Sequence, residues 1–140
     1  MPTRIRAYCQ RTRQPIPESD SAVLRCIYES LALKYRYVLD LLVSVSGQTV
    51  ERLHIIGGGS KNALLNQMTA DATGRVVIAG PTEATAMGNA LTQFIALGEL
   101  ANLSEARQML SRTAETETYE PQHTAAWDAH YARFREVGGL

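Results

Sequence analysis

The sequence predicts an α/β fold that is rich in helices and contains a small βαβ sheet. Three observations predict it: a long amphipathic pattern near the N-terminus, a short apolar run that ends in three glycines, and a second apolar run one helix later. Strand, helix and strand joined by so short a connection are typical of a parallel βαβ unit. Two strands make a thin sheet, which indicates a piece of a larger domain.

The composition is that of an ordinary globular chain, with 140 residues, 45% of them hydrophobic. Acidic and basic residues are equal in number, which argues against a nucleic-acid partner because such proteins usually carry a basic face. No stretch approaches the roughly 20 apolar residues that cross a bilayer. The polar N-terminus contains no secretory signal. We therefore expect no nucleic-acid partner, no membrane association and a cytoplasmic location.

The N-terminal part predicts two helices. The first covers residues 3–13, and two prolines follow it and break any helix. The second is placed at 20–46, with Asp20 or Ser21 as its N-cap. It carries one apolar stripe, which we interpret as the side facing a core rather than as a coiled-coil seam. The stripe consists of Leu24, Tyr28, Leu31, Tyr35, Val38, Leu42 and Val45.

The middle of the chain, residues 50–98, predicts a unit of alternating strands and helices. Its second strand, RVVIA, is a continuous apolar run, as expected for a strand covered on both faces. Ser60 is the predicted N-cap of the first helix. The predicted strands are 50–56 and 75–79, and the predicted helices are 60–73 and 83–97. The first of these helices is expected to bury Leu64, Leu65, Met68 and Ala72.

The C-terminal part, residues 104–137, predicts further helices. A short one begins near Ser104 and ends at Leu110, and a last one covers 124–137. The segment TAETETYEP between them is predicted to be a surface connection. The last helix carries a packing stripe of Trp127, Tyr131 and Phe134.

Three consecutive glycines, Gly57, Gly58 and Gly59, separate the first strand from its helix. Such a triplet indicates either a turn with unusual backbone angles or close approach of a ligand to bare backbone. The helix N-terminus that follows favours negative charge, so the N–H groups near Gly58 and Gly59 suit a phosphate or a ribose. The amide of Asn62 suits a purine edge. Neither GxGxxG nor the Walker pattern fits, so from the residues alone a structural turn is preferred over nucleotide contact.

Other polar residues of this unit have structural interpretations. Asp71 falls in the last turn of its helix, where the dipole disfavours a carboxylate, so Arg75 or a backbone donor is expected to compensate. Glu83 falls in the first turn of the next helix, where negative charge is favourable. Gly88 lies inside that helix at a cost of roughly 1 kcal/mol relative to alanine, which indicates close packing. The histidines lack metal-binding spacing, so no protein metal site is expected.

The segment IIGGGSKNALLNQMTADATGRVVIAGPTEATAMGNAL resembles the C-terminal domain of the FGGY carbohydrate kinases, members of the actin/hexokinase/Hsp70 superfamily. Its apolar–Gly–Gly–Gly–Ser run is similar to the adenosine motif of that superfamily. ADATG and the ExxxxGNA segment at 83–90 follow in the family's order. The resemblance implies part of an actin-like ATPase (ribonuclease H-like) C-terminal domain. It also implies nucleotide contact at Gly57, Gly58 and Gly59, with Asn62 near the adenine.

The same resemblance implies a reaction and its cofactors. One branch of the family is the most similar, at IIGGGSKNALLNQ, VIAGPTEAT and PTRIRAYCQRTRQPIPESD. That branch implies phosphorylation of L-rhamnulose to L-rhamnulose 1-phosphate by ATP with Mg²⁺. Another sugar, such as L-fuculose or xylulose, remains open because the family's sugar contacts lie upstream of these residues.

The chain departs from the family in length. Enzymes of the family are several times longer, and no DxGxT-type phosphate loop occurs here. We therefore interpret the chain as a C-terminal fragment without the catalytic aspartate, inactive alone, whose Met1 is either internal or an artificial start. The fragment is expected to expose apolar surface left bare by the missing N-terminal domain, and to self-associate. A stand-alone interaction module with a dimer face on the long helix is the alternative.

Overall fold

A computed structural model describes residues 1–140. The helices are α1 (Pro2–Arg11), α2 (Asp20–Ser46), α3 (Ala63–Thr73), α4 (Ala84–Leu97), α5 (Leu103–Thr113) and α6 (Thr124–Gly138). The strands are β1 (Arg52–Ile55), β2 (Val76–Ala79) and β3 (Glu117–Tyr119), and a 3₁₀ turn (Gly57–Lys61) lies between β1 and α3. The predicted class, a helix-rich α/β fold with a small sheet, is confirmed. No helix combines the length and the apolar character that crossing a bilayer requires.

The sheet has three strands in the order β1–β2–β3. β1 and β2 are parallel and α3 connects them, with Ile55 opposite Ala79, as the βαβ pattern predicts. β3 pairs antiparallel with β2 and sets Tyr119 opposite Val77. The prediction of a surface connection over TAETETYEP was therefore wrong at its centre. Only Tyr119 of this strand is buried, so three residues give no alternation from which a strand could be predicted.

α2 begins one residue earlier than its predicted caps imply. The Ser19 side chain accepts a hydrogen bond from Ala22 N at 3.1 Å, so Ser19 is the N-cap instead of Asp20 or Ser21. Gly47 ends the helix with φ +67°, where its N–H donates to Val43 O at 2.9 Å. A left-handed backbone conformation of this kind favours glycine, so Gly47 fixes the C-terminus of α2.

α3 lies at the centre of the molecule, between the sheet and α2. Its two sides contribute to two small cores, so its buried residues do not follow one stripe. Met68 and Ala72 are buried as predicted, whereas Leu64 is 53% exposed. The core towards the sheet contains Ala70, Val77, Ala79 and Tyr119. The core towards α2 contains Ala32, Met68 and Ala72, with Tyr28 and Trp127 packed against it.

The apolar stripe predicted to bury α2 is mostly exposed, so that prediction was wrong about the face. The side of α2 that packs on the rest of the chain carries Ala32, Leu33 and Leu39 instead. Val45, at the end of the stripe, is 88% exposed. Periodicity identifies an apolar face but not which of two apolar faces this chain covers, because both occur on one helix here.

The close packing predicted around Gly88 is also absent. α4 contains no buried residue, and no atom lies within 4 Å of the position that a Cβ at Gly88 would occupy. α4 packs mainly against α5. The glycine is therefore not explained by any contact within these residues.

Candidate functional site

The carboxyl ends of the two parallel strands bring two loops side by side. Gly80 N, just after β2, donates a hydrogen bond to Ile55 O at 2.8 Å. Gly57 N donates to Pro81 O at 3.1 Å, which joins the GGGSK turn (Gly57–Lys61) to the GPTE loop that follows β2. In open α/β sheets, ligands bind outside the carboxyl ends of the strands. The two loops therefore form one rim at the position where a ligand is expected.

The three glycines of the turn have different roles. Gly57 adopts φ +75° and lies half-buried, so the turn itself requires a glycine there. Gly58 and Gly59 have no positive φ and are exposed. No atom lies within 4 Å of the Cβ position of Gly58. Since neither backbone angle nor packing explains Gly58, its bare backbone is open to a ligand.

Ser60 stabilises the GGGSK turn through its buried side chain. Its Oγ donates to Gly57 O at 2.7 Å and lies 3.4 Å from Thr82 Oγ1 in the GPTE loop. Its residue is only 8% exposed. The prediction that Ser60 caps the following helix was wrong, because the 3₁₀ turn inserts two residues before α3 begins.

Asn62 is the N-cap of α3. Its Oδ1 accepts from Leu65 N at 3.1 Å, which satisfies one of the free N–H groups at the start of the helix. The side-chain Nδ2 makes no hydrogen bond within the chain and the residue is half-buried at the end of the turn. Its oxygen is therefore structural, while its nitrogen remains available as a donor to a ligand.

Asn66 of α3 forms a hydrogen bond with the GGGSK turn. This role was not predicted from the sequence. It is fully buried, and its Nδ2 donates to Ser60 O at 2.8 Å. Its Oδ1 has no hydrogen-bond partner, which is unusual for a buried amide. The signal in the sequence was an amide among the apolar positions of α3, one helical turn after Asn62. Thr82 was also missed, because its proximity depends on the pairing of β1 with β2.

Asp71 lies away from the turn and has structural contacts. Its Oδ1 accepts from Gln122 N at 2.8 Å and from Gln67 Nε2 at 2.9 Å. Of the two predicted compensating groups, the backbone donor is the one found, whereas Arg75 is exposed. Glu83 occupies the N-cap position of α4 rather than its first turn, without a capping hydrogen bond from its side chain.

The turn can bind but offers little for covalent or acid–base chemistry. It contains no carboxylate, thiol or imidazole, and its one charged group is the exposed Lys61. A separate cavity of about 880 Å³ lies between α1, α2, α3 and α6. None of the turn residues lines that cavity, whose walls include Cys9, Trp127 and Phe134. The GGGSK turn is thus a surface site for backbone and amide contacts.

Comparison with known proteins gives concordant matches. Residues 1–97 match the C-terminal domain of the FGGY family of carbohydrate kinases. A rhamnulokinase from Bacteroides thetaiotaomicron is 51% identical over 135 residues, which is 96% of this chain. The chain spans 28% of the length of that relative.

Proposed function

Because the chain belongs to the FGGY family of carbohydrate kinases, we propose that it is the nucleotide-binding side of a longer sugar kinase. The proposed nucleotide contacts are Gly57, Gly58, Gly59 and Asn62. Within the chain, residues 50–98 would form the nucleotide-side unit, 20–46 the long helix and 104–137 the C-terminal helices. The cytoplasm is the proposed location.

The observation that carries this proposal is the open backbone at Gly58. A side chain there would meet nothing within the chain, and the backbone angles do not require a glycine. Close approach of a ligand to the main chain is one physical reason for a glycine at that position, and its place beyond the carboxyl end of β1 favours that reason. The neighbouring free Nδ2 of Asn62 adds one donor within the same turn. Together they fit the sugar or phosphate of a nucleotide and the edge of its base.

ATP supplies the transferable phosphoryl group, and Mg²⁺ neutralises charge on the phosphates. Backbone and amide donors suit a nucleotide, and no residue of this chain is assigned to a metal ion. We therefore propose that Mg²⁺ is held through the phosphates and by residues outside this chain. The chain's own contribution is to orient the nucleotide, and alone it is expected to transfer no phosphoryl group.

L-Rhamnulose is the proposed sugar, since the relative that is 51% identical is a rhamnulokinase. No residue of this chain is assigned a sugar contact. The substrate is tested with a chimera in which the part of the Bacteroides enzyme outside the matched region is joined to this chain. Phosphorylation of L-rhamnulose in preference to L-fuculose and xylulose is the expected result. Faster reaction with either other ketose would replace L-rhamnulose as the substrate.

The nucleotide site is tested by calorimetric titration of the chain with Mg-ADP and Mg-ATP. Gly58→Val fills the open space beside the turn without strained angles, so it should leave the fold intact and weaken binding at least about tenfold, or 1.4 kcal/mol. Gly88→Val is the matched control. Gly88 is also a glycine in open space without positive φ, but it lies inside α4.

The variants separate a nucleotide cradle from a structural turn. Equal binding by wild type and Gly58→Val would remove the turn from the site. Where the isolated chain binds neither nucleotide, Gly58→Val is compared with the unsubstituted chimera. An unchanged Michaelis constant for ATP in the Gly58→Val chimera would then overturn the proposed contacts.

A further inference from the structure

Asn66 carries the only buried side-chain atom without a hydrogen-bond partner. The residue lies on α3, one helical turn after the N-cap Asn62, and none of its surface is exposed. Its Nδ2 donates to Ser60 O at 2.8 Å, whereas its Oδ1 is the unpaired atom. The opposite orientation of the amide would set Oδ1 against the carbonyl oxygen of Ser60, and both atoms are acceptors. The contact with Ser60 therefore fixes the amide and leaves Oδ1 unpaired.

This contact is the only hydrogen bond that Ser60 O receives. No main-chain N–H donates to that carbonyl, which lies between the hydrogen bonds of the 3₁₀ turn and those of α3. The hydroxyl of the same residue donates to Gly57 O at 2.7 Å. Ser60 is thus bonded to the start of the turn through its hydroxyl and to α3 through its carbonyl. Gly58 and Gly59 lie between these two attachments.

Asn66 is costly as a residue of the core. A buried acceptor without a donor destabilises a fold, and a leucine of similar shape would avoid that cost. Leucine would, however, leave Ser60 O without a donor. A buried hydrogen bond of this kind favours one geometry over its alternatives, because breaking it leaves a polar group unpaired. The benefit of Asn66 therefore lies in the conformation of the turn rather than in the packing of α3.

We propose that Asn66 is a positioning residue of the nucleotide site. It holds Ser60 O against α3 and so keeps the exposed main chain of Gly58 and Gly59 in one conformation, ready for the nucleotide. Asn66 itself is fully buried and does not touch the ligand. A site that is rigid before binding loses less conformational entropy on binding, which raises its affinity. The ligand rests on the proposed function, whereas the rigidity of the turn can be measured without any ligand.

Two variants of α3 separate positioning from general stability. Asn66→Leu removes both the donor to Ser60 O and the unpaired acceptor, two changes of opposite sign, so it should move the urea midpoint by less than about 0.5 M. Asp71→Ala is the matched control, since Asp71 is a buried polar residue of the same helix that contacts Gln67 and Gln122 but not the turn. It should lower the urea midpoint by about 1 M.

NMR relaxation of the isolated chain measures the rigidity of the turn. In wild type and in Asp71→Ala, the amide order parameters of Gly58 and Gly59 should be near 0.85, and in Asn66→Leu they should fall below about 0.6. The variant that keeps its stability would thus lose the rigid turn, and the destabilised variant would keep it. A turn that is equally rigid in Asn66→Leu, or already mobile in wild type, would overturn the proposal.

Asn66→Asp keeps the shape of the side chain and provides the test where Asn66→Leu does not fold. A protonated carboxyl can donate to Ser60 O, whereas a carboxylate repels it, and burial raises the pKa of a carboxyl at this position. The neighbouring Tyr119 stays protonated between pH 6 and pH 8, because its hydrogen bond to Glu117 raises its pKa. The turn of this variant should therefore be mobile at pH 8 and rigid at pH 6. Mobility that is the same at both pH values would contradict the role of Asn66 as donor.

Kinetics of the chimera connect the turn to the nucleotide. Asn66→Leu should raise the Michaelis constant for ATP at least about fivefold and leave that for L-rhamnulose unchanged, while Asp71→Ala changes neither. An unchanged constant for ATP in Asn66→Leu, alongside an increase in Gly58→Val, would overturn the positioning role and leave the proposed nucleotide site intact. Unchanged constants in both Asn66→Leu and Gly58→Val would overturn the two proposals together.

Discussion

α3 and α4 each follow a strand of the parallel pair, yet their surroundings are opposite. α3 buries Asn66, Met68, Thr69, Ala70, Asp71 and Ala72, while α4 buries nothing. The sequence of α4, ATAMGNALTQFIAL, contains no charged residue, whereas α3 contains Asp71. The more apolar helix is thus the less covered one. An apolar composition is typical of a covered helix, yet most of α4 is exposed in this chain.

The difference extends to how each helix is held. α3 packs on α2, α6 and the sheet, and its polar groups form hydrogen bonds with the turn and the residues after β3. α4 packs mainly on α5. Local stability follows buried contacts, so the α3 side is expected to exchange amide hydrogens slowly and α4 rapidly. Substitutions around α3 should therefore lower the free energy of unfolding more than substitutions on α4.

The largest effect is expected at Gly80, which packs closely against the segment before β3. Gly80 has φ +115°, and a Cβ there would lie 2.5 Å from Glu115 O. Gly80→Ala therefore combines backbone strain with a clash against main chain, and should destabilise the fold by about 3 kcal/mol or more. Urea denaturation followed by circular dichroism measures it. A loss under about 1 kcal/mol would mean that the segment before β3 is not held against the sheet.

Asp71 tests the polar contacts of α3. Asp71→Ala removes the acceptor of two hydrogen bonds, from Gln122 N and Gln67 Nε2, in a residue only 6% exposed. Losing two hydrogen bonds to a charged, nearly buried acceptor should cost about 2 kcal/mol in the free energy of unfolding. Glu29→Ala is the control, since Glu29 forms an exposed ion pair with Arg25 worth about 0.5 kcal/mol or less. Equal losses for the two variants would contradict the contrast between packed and exposed regions.

The sequence predicted what local pattern determines. The family resemblance, the parallel βαβ unit and the positions of the helices are confirmed, because glycine placement and helical periodicity are local signals. The face of α2, the surroundings of Gly88 and the strand β3 were not predicted correctly. Each depends on which segments meet in space, and on which of them lie in these residues. The candidate contacts at Gly57, Gly58, Gly59 and Asn62 remain a prediction.

The candidate site likewise has features predicted from local sequence and features that depend on contacts between distant segments. The glycine triplet identified the turn, but the support given by Asn66 and Thr82 follows only from the pairing of the strands. Ser60 was expected at a helix start, and two further residues moved the cap to Asn62. A capping rule identifies residue types that suit a helix start, and several such residues occurred in a row.

The contribution of Tyr131 to the stability of the fold is expected to depend on pH. Burial, together with the 2.8 Å hydrogen bond that the phenol donates to Asp40, raises the pKa of Tyr131 to about 12. The folded pKa exceeds the unfolded value of 10.0, so the protonated phenol is favoured in the fold. Its stabilisation is complete below pH about 10 and is lost as the pH rises towards 12. Tyr131→Phe should lower stability by about 1.5 kcal/mol at pH 8 and by less at pH 11. A loss that does not change over this range would contradict the assigned pKa.

The smallest effect, and the only stabilising one, is expected on α4. Gly88 is exposed within the helix and its Cβ position is open, so Gly88→Ala should stabilise the isolated chain by up to about 1 kcal/mol. We expect the chimera to cover α4, so a methyl group at this position has to fit against new neighbours there. The expected gain is therefore reduced or reversed, as measured by the shift in urea midpoint between the two backgrounds. An equal gain in both would mean that α4 stays exposed in the longer protein, and that its uncharged sequence needs another explanation than burial.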